Sequence, residues 1–201
     1  VRLPTETELA NLATLPFDEA QIQKDFGFGG FVRGLTGVDL LVKHFYEPTC
    51  TICGLRSGYL GEGVKTVLPY SAVAKVDFRL VPDLTPELVS RLLRAHLDRR
   101  GFSDIEITSA LGLRPARSSF EAPFVQACFQ AAKATYGADP IVYPTSPGSG
   151  PLYTLCRDTP AVMAGIGNAN SHLHAPNENV LLDDYFEGIR FVAELIHRFG
   201  S

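Results

Sequence analysis

The sequence predicts two architectures in succession, an α+β unit over residues 1–114 and part of an α/β unit over residues 115–201. Three observations carry this reading. Two alternating apolar and polar stretches flank a Gly-rich connection and lead into a helix and a further alternating stretch. That order, strand, strand, helix, strand, is a ferredoxin-like unit lacking its opening strand and helix. Beyond the Pro/Arg/Ser linker "GLRPARSS", helices alternate with continuously apolar runs, the pattern of a parallel sheet covered by helices. Two strands and three helices are too few to close such a domain, so further sequence is expected upstream of Val1.

The elements follow in order. "PTETELANLATL" and "PFDEAQIQKDFG" read as short helices, each opened by a proline and an acidic first turn, the second closed by Gly27 or Gly29. "TGVDLLVKHFYEP" reads as a third, stopped by Pro48. "TCTICGLRSGY" and "SAVAKVDFRLV" change to a period of two, the latter setting Ala72, Ala74, Val76, Phe78 and Leu80 against Lys75, Asp77 and Arg79. They are expected to pair as an antiparallel hairpin whose long, mobile tip is "LGEGVKTVLP". Thr85 as cap, Pro86 at the first helical position, apolar residues at Leu88, Val89, Leu92, Leu93 and Leu97, and Gly101 as stop define the next helix. "SDIEITSAL" is expected as a strand. In the second half, Phe120, Phe124, Cys128, Ala131 and Thr135 mark one helix face ended by Gly137, and "PIVYPT" is a short strand. "GPLYTLCRD" is a short helix, "PAVMAGIG" a buried strand, and Phe186, Ile189, Ala193 and Ile196 mark the face of a final helix.

At 201 residues the chain accommodates one large domain or two small ones, on a prior of ~100–200 residues per domain. A composition of 45% hydrophobic and 20% charged residues, with 18 basic against 22 acidic and a net charge of −4, is that of a soluble globular protein and gives no sign of a nucleic-acid partner. Arg91, Arg94, Arg99 and Arg100 fall in a helix that also carries Glu87 and Asp98, and read as a solvated face rather than a phosphate stripe. No apolar run approaches the ~20 residues needed to cross a bilayer, and "VRLPTETELANLA" has no charged region followed by an apolar core. No membrane partner and a cytoplasmic location are therefore expected. Met163 is the sole methionine and the chain does not start with one, which suggests a piece of something longer.

Four cysteines raise the question of disulfides or metal. Cys50 and Cys53 form a CxxC in "PTCTICG", but in a strand residues three apart point to opposite faces. Cys128 falls on an apolar helix stripe and Cys156 near the end of another helix. Buried free thiols in a reducing compartment are expected.

Several residues are candidates for chemistry. "SHLHAPNENV" follows an apolar strand at the edge where α/β sheets place ligands, and Pro176 stiffens the loop around His174 while Asn177 and Glu178 can bond the backbone or the imidazole. One histidine without partners makes no metal site by itself, and a polar surface loop remains the alternative. His172 is the weaker candidate of the two. His96 and Asp98, in "HLD", lie about 200° apart around a helix and cannot converge on one ion; His96 reads as a packing residue. "VYPTSPGSGPL" puts the N–H groups of Gly148, Ser149 and Gly150 near a helix N-terminus, a place that attracts carboxylate or phosphate, or else a plain strand-to-helix turn. Arg79, at a strand end beside Pro82 and Asp83, is either a surface arginine or a fork for a carboxylate.

Taken together and in order, "GVKTVLPYSAVAKVDFRLVPDLTPE", "SPGSGPL" and "HAPNENV" resemble the carnosinase-type branch of the di-zinc metallopeptidases, the family of acetylornithine deacetylase, succinyl-diaminopimelate desuccinylase and glutamate carboxypeptidase. The resemblance covers essentially the whole chain and implies an α/β catalytic domain interrupted by a ferredoxin-like lid that also dimerises. It implies that His174 is a zinc ligand, that Gly148 and Ser149 contact substrate and that Arg79 binds its terminal carboxylate. Thr66, on the hairpin tip, is implied to reach the active site of a partner subunit in a homodimer. The implied reaction is hydrolysis of a dipeptide, an N-acyl amino acid or a related amide by two Zn2+ ions and a glutamate base. The family's other ligands, a His-x-Asp, a bridging aspartate, a Glu-Glu pair and a further acidic residue, precede the lid, and no Glu-Glu pair occurs in this sequence. No catalytic residue is thus assigned within this chain, which is expected to be inactive alone. A deacylase or desuccinylase of the same family, and a non-catalytic dimerisation or binding module, are the rival readings.

Overall fold

The computed structural model describes residues 1–108, 112–146, 148–168 and 170–200. The chain divides into two compact units, Val1–Pro115 with Pro147–Ser149, and Ala116–Ser146 with Gly150–Ser201.

The first unit opens with α1 (Glu6–Ala13), whose start is a reciprocal cap: Thr5 accepts from the Glu8 N–H and the Glu8 carboxylate accepts from the Thr5 N–H. α2 (Glu19–Phe26) is capped by Asp18 and ends at Gly27, whose φ of 65° supplies the left-handed turn that closes a helix. After a single 3-10 turn at Val32–Gly34, α3 (Gly37–Tyr46) packs on α1. Leu12, Leu41, Phe45 and Tyr46 form the buried cluster there, flanked by Leu15, Phe17, Val38 and Val42.

β1 (Thr49–Ser57) and β2 (Ala72–Arg79) pair antiparallel, from Thr49 opposite Arg79 to Ser57 opposite Ala72. The register shifts between Ile52 and Gly54, which leaves Cys53 as the bulged residue, its Sγ 3.4 Å from the Lys75 carbonyl. The hairpin is as the alternation predicted. Its cysteines depart from expectation, since Cys50 and Cys53 are exposed free thiols while Cys128 is buried and Cys156 half-buried. Beyond β2, Val81 and Leu84 turn inward across Pro82 and Asp83; the Leu84 N–H reaches the Val81 carbonyl at 3.2 Å and Asp83 has φ 72°, a type II turn. α4 (Pro86–Arg99) follows, with Thr85 accepting from the Leu88 N–H at 3.1 Å and Gly101 at φ 84° behind it.

The strand expected in "SDIEITSAL" is absent over 103–108, and 109–111 lie outside the described residues. The reason is local. Arg94 donates to the carbonyls of Phe102, at 2.8 Å, and Ile105, folding this stretch back onto α4 instead of leaving its acceptors to a ladder. His96 is exposed, so it is not the packing residue expected.

In the second unit α5 (Pro123–Tyr136) and α7 (Leu182–Gly200) pack antiparallel, with Phe124 on Phe199 at 5.6 Å and Tyr136 stacked on Phe191 at 6.3 Å. Val125, Cys128 and Ala131 are buried on α5, and Gly137 closes it at φ 71°. α6 is one short helix, Leu152–Cys156. The strands expected at 140–145 and 160–167 do not form. A strand exists only through a neighbour that completes its ladder, and among the described residues the β1–β2 pair is the only sheet. The same absence corrects the face assigned to α7. Phe186, Ile189 and Ile196 are 56%, 51% and 67% exposed, because no sheet covers them. Among the described residues no helix is long and apolar enough to cross a membrane.

Candidate functional site

Arg79 closes β2, and the hairpin register sets it opposite Thr49. Its Nη1 donates to the Ser149 hydroxyl at 2.7 Å, joining two side chains seventy residues apart in sequence. Both belong to the first unit, since Pro147–Ser149 cluster with it rather than with the segments on either side. The Nε of Arg79 lies 2.9 Å from Asp77 Oδ1. Gly148 is the immediate neighbour of Ser149 and exposed. The helix-terminus argument for this turn does not survive: α6 has five residues and begins after Pro151, which makes no side-chain cap. The cationic group beside this turn is the Arg79 guanidinium. Thr66 sits in the irregular, exposed connection between β1 and β2.

His174 belongs to the second unit, on a loop that folds on itself. Ser171 is only 1% exposed, and its hydroxyl accepts from the Asn168 N–H at 2.8 Å while its carbonyl accepts from the Asn179 N–H at 3.0 Å. The Asn179 amide donates to the carbonyls of Asn170 and Asn177, at 3.1 and 3.0 Å. The Asn168 amide reaches Asp184, on the first turn of α7, at 3.3 Å. Within this frame the Ala175 N–H closes a turn on the His172 carbonyl at 2.9 Å. Three residues take the left-handed backbone, His172 at φ 52°, His174 at 61° and Asn177 at 63°. Such backbone costs roughly 1–3 kcal/mol per residue and persists only where surrounding bonds hold it, a condition that gathers at ligand-binding positions. Glu178 accepts from the backbone N–H of His174 at 3.3 Å, so it braces the main chain of the histidine. Both histidines are exposed.

Among the described residues no three His, Cys, Asp or Glu side chains come together to hold a metal ion. A zinc centre takes about three or four protein ligands. His174 alone does not fit that demand, and the residues present do not make a zinc site by themselves.

Residues 17–198 match the description Peptidase family M20/M25/M40. The chain belongs to this peptidase family. Among curated relatives of this M20 chain, the Beta-Ala-His dipeptidase of Rattus norvegicus is 25% identical over 197 residues, 94% of this chain and 40% of the relative. The Cys-Gly metallodipeptidase of Saccharomyces cerevisiae is 25% identical over 81% of this chain and 35% of its own length. Among solved structures, an M20 family metallo-carboxypeptidase from Sulfolobus solfataricus superposes with a TM-score of 0.84 at 35% identity, covering 98% of this chain and 45% of that one. The chain thus spans less than half the length of these relatives.

Sequence reasoning singled out Arg79, Ser149, Gly148, Thr66 and His174, and the structure brings the first three into one place. It missed Asp77 and the bracing residues Asn168, Ser171 and Asn179. Asp77 had a signal: it stands two positions before Arg79 on a strand, hence on the same face. Ser171 had none, since its burial follows from how the loop closes.

Proposed function

We propose that this M20 chain is most of the lid (residues 1–114, lacking its first strand and helix) and the closing part of the catalytic domain (residues 115–201) of a zinc-dependent hydrolase that cleaves dipeptides or related amide bonds. One observation carries the reading. Arg79 and Ser149, remote in sequence, meet at 2.7 Å and form a polar fork on the hairpin. A planar guanidinium beside a hydroxyl is matched to a carboxylate, which it binds through parallel, charge-assisted hydrogen bonds. A substrate with a free terminal carboxylate, a small peptide or N-acyl amino acid, meets that requirement. The dipeptidase relatives support it.

In this reading His174 supplies one nitrogen to a metal centre whose other donors come from outside this chain. Zinc held there by His174 and those other donors would supply Lewis acidity and an activated water. What the chain itself contributes is orientation: Arg79, Ser149 and Gly148 hold the carboxyl end of the substrate, and Thr66 reaches it from the second subunit of a homodimer formed through the lid. The resemblance to the Sulfolobus metallo-carboxypeptidase favours a second reading, removal of the last residue from longer peptides, which uses the same fork.

The test is a substrate panel with the full-length protein. Dipeptides with a free C-terminus are expected to be hydrolysed and their C-terminal amides spared. Arg79→Ala is expected to raise KM by about tenfold or more, the worth of a charged hydrogen bond. Equal turnover of acid and amide contradicts the reading, and faster turnover of longer peptides selects the carboxypeptidase.

A further inference from the structure

Asp77 and Arg79 leave the same face of β2, and the Asp77 carboxylate lies 2.9 Å from Arg79 Nε. A guanidinium is planar and carries five N–H donors in fixed directions. With Nε held within 2.9 Å of the Asp77 carboxylate as an ion pair and Nη1 donating to Ser149 at 2.7 Å, the guanidinium is restrained at two points. The Nε side of the fork faces an anion already in place. What remains toward an incoming group is the terminal edge, the second Nη1 hydrogen and those on Nη2. Ser149, having accepted one hydrogen bond, still has its own O–H to donate.

We propose that Asp77 is a positioning residue for substrate binding: it holds Arg79 so that the terminal edge of the guanidinium meets the substrate carboxylate, with the Ser149 hydroxyl as a further donor. This rests on the carboxylate-binding reading of Arg79 given above. Arg79 and Asp77 are 50% and 46% exposed at their side chains, so the net charge of the pair is screened by water and its direction is what Asp77 supplies. Direction and charge separate experimentally. Asp77→Asn keeps an acceptor oxygen for Nε but removes the charge, whereas Asp77→Ala removes both.

In the full-length enzyme, with a dipeptide bearing a free C-terminal carboxylate, Asp77→Ala is expected to raise KM by about threefold to fivefold, the range for an exposed ion pair. kcat is expected to hold, and Asp77→Asn to restore most of the loss. Competitive inhibition of that hydrolysis by the C-terminal amide of the same dipeptide is expected to be indifferent to both variants. A purely structural role would instead lower the melting temperature and leave the split between acid and amide unchanged. If Asp77→Ala leaves KM for the free acid unchanged while Arg79→Ala raises it, the positioning role is overturned and the carboxylate reading stands. Tighter binding in both Asp77 variants overturns it too, since Asp77 then acts only as a repelling charge. If Arg79→Ala itself has no effect, the carboxylate reading fails and this inference fails with it.

Discussion

The loop at 168–179 and the hairpin connection at 58–71 each carry a residue assigned to the site, His174 and Thr66, and they are ordered by different means. The first is laced by Asn168, Ser171, Glu178 and Asn179, which tie side chains to nearby backbone and sustain three left-handed residues in six positions. The second leaves Val64, Leu68 and Tyr70 at 97%, 94% and 101% exposure. Its bonds include Tyr59 to the Glu62 carbonyl, Ser57 to the Ser71 carbonyl, and Lys65 over the Tyr59 ring at 5.7 Å. None of these touches Thr66. Short polar side chains can fix a functional residue locally without a hydrophobic core. On the tip such bonds join Ser57 to Ser71 and Tyr59 to Glu62, at positions other than Thr66.

The sharpest way to break the contrast is to remove the imidazole. His174→Ala in the full-length enzyme is expected to lower activity by more than about a hundredfold, since loss of even an outer partner of a metal ligand costs 10–100-fold. Activity within a few-fold of wild type would reduce the 168–179 loop to a surface feature. The bracing is tested next. Ser171→Ala takes the acceptor from the part-buried Asn168 N–H and is expected to cost about 1 kcal/mol in urea unfolding, with a fall in activity. An unchanged midpoint would mean the loop is held elsewhere. Thr66→Ala, on the exposed tip, is expected to change stability by less than about 0.5 kcal/mol. Activity should nonetheless fall, and mixing with a His174→Ala protein should restore part of it by forming hybrid dimers.

The smallest expected effect lies outside both loops. The Glu87 carboxyl sits below its ordinary value of 4.5, lowered by the backbone hydrogen bond at the start of α4, by Thr85 and by Arg114. A group whose value is depressed on folding contributes stability above its unfolded value, and loses it as pH falls through the folded one. Glu87→Gln should therefore lower stability slightly in the neutral range and flatten its fall on the acid side, where the two proteins converge, as read from urea midpoints across that range.

The periodic parts of the fold were legible. Thr85 caps α4 as expected, the hairpin pairs as its alternation required, and Gly101 and Gly137 close α4 and α5; the caps of α1 and α2 are Thr5 and Asp18, which the sequence reading did not single out. The apolar runs at 140–145 and 160–167 were misread because continuous hydrophobicity reports burial on two faces, and says nothing of whether a neighbouring strand is there to pair. At the site, residue types and order pointed to Arg79, Ser149 and His174 and to Glu178 as a bond to the backbone, whereas the bracing by Asn168, Ser171 and Asn179 was illegible. That Ser149 meets Arg79 depends on a chain return across seventy positions, and the strain at His174 on hydrogen bonds closed only after the loop folds.

The central claim is that this chain lends a metal ligand to a peptide-cleaving centre, and anomalous X-ray scattering from the zinc-loaded, full-length protein tests it most directly. The account predicts a ring nitrogen of His174 about 2.0–2.1 Å from a zinc ion. Two fully ligated zinc ions with the His174 ring turned away from both would contradict it.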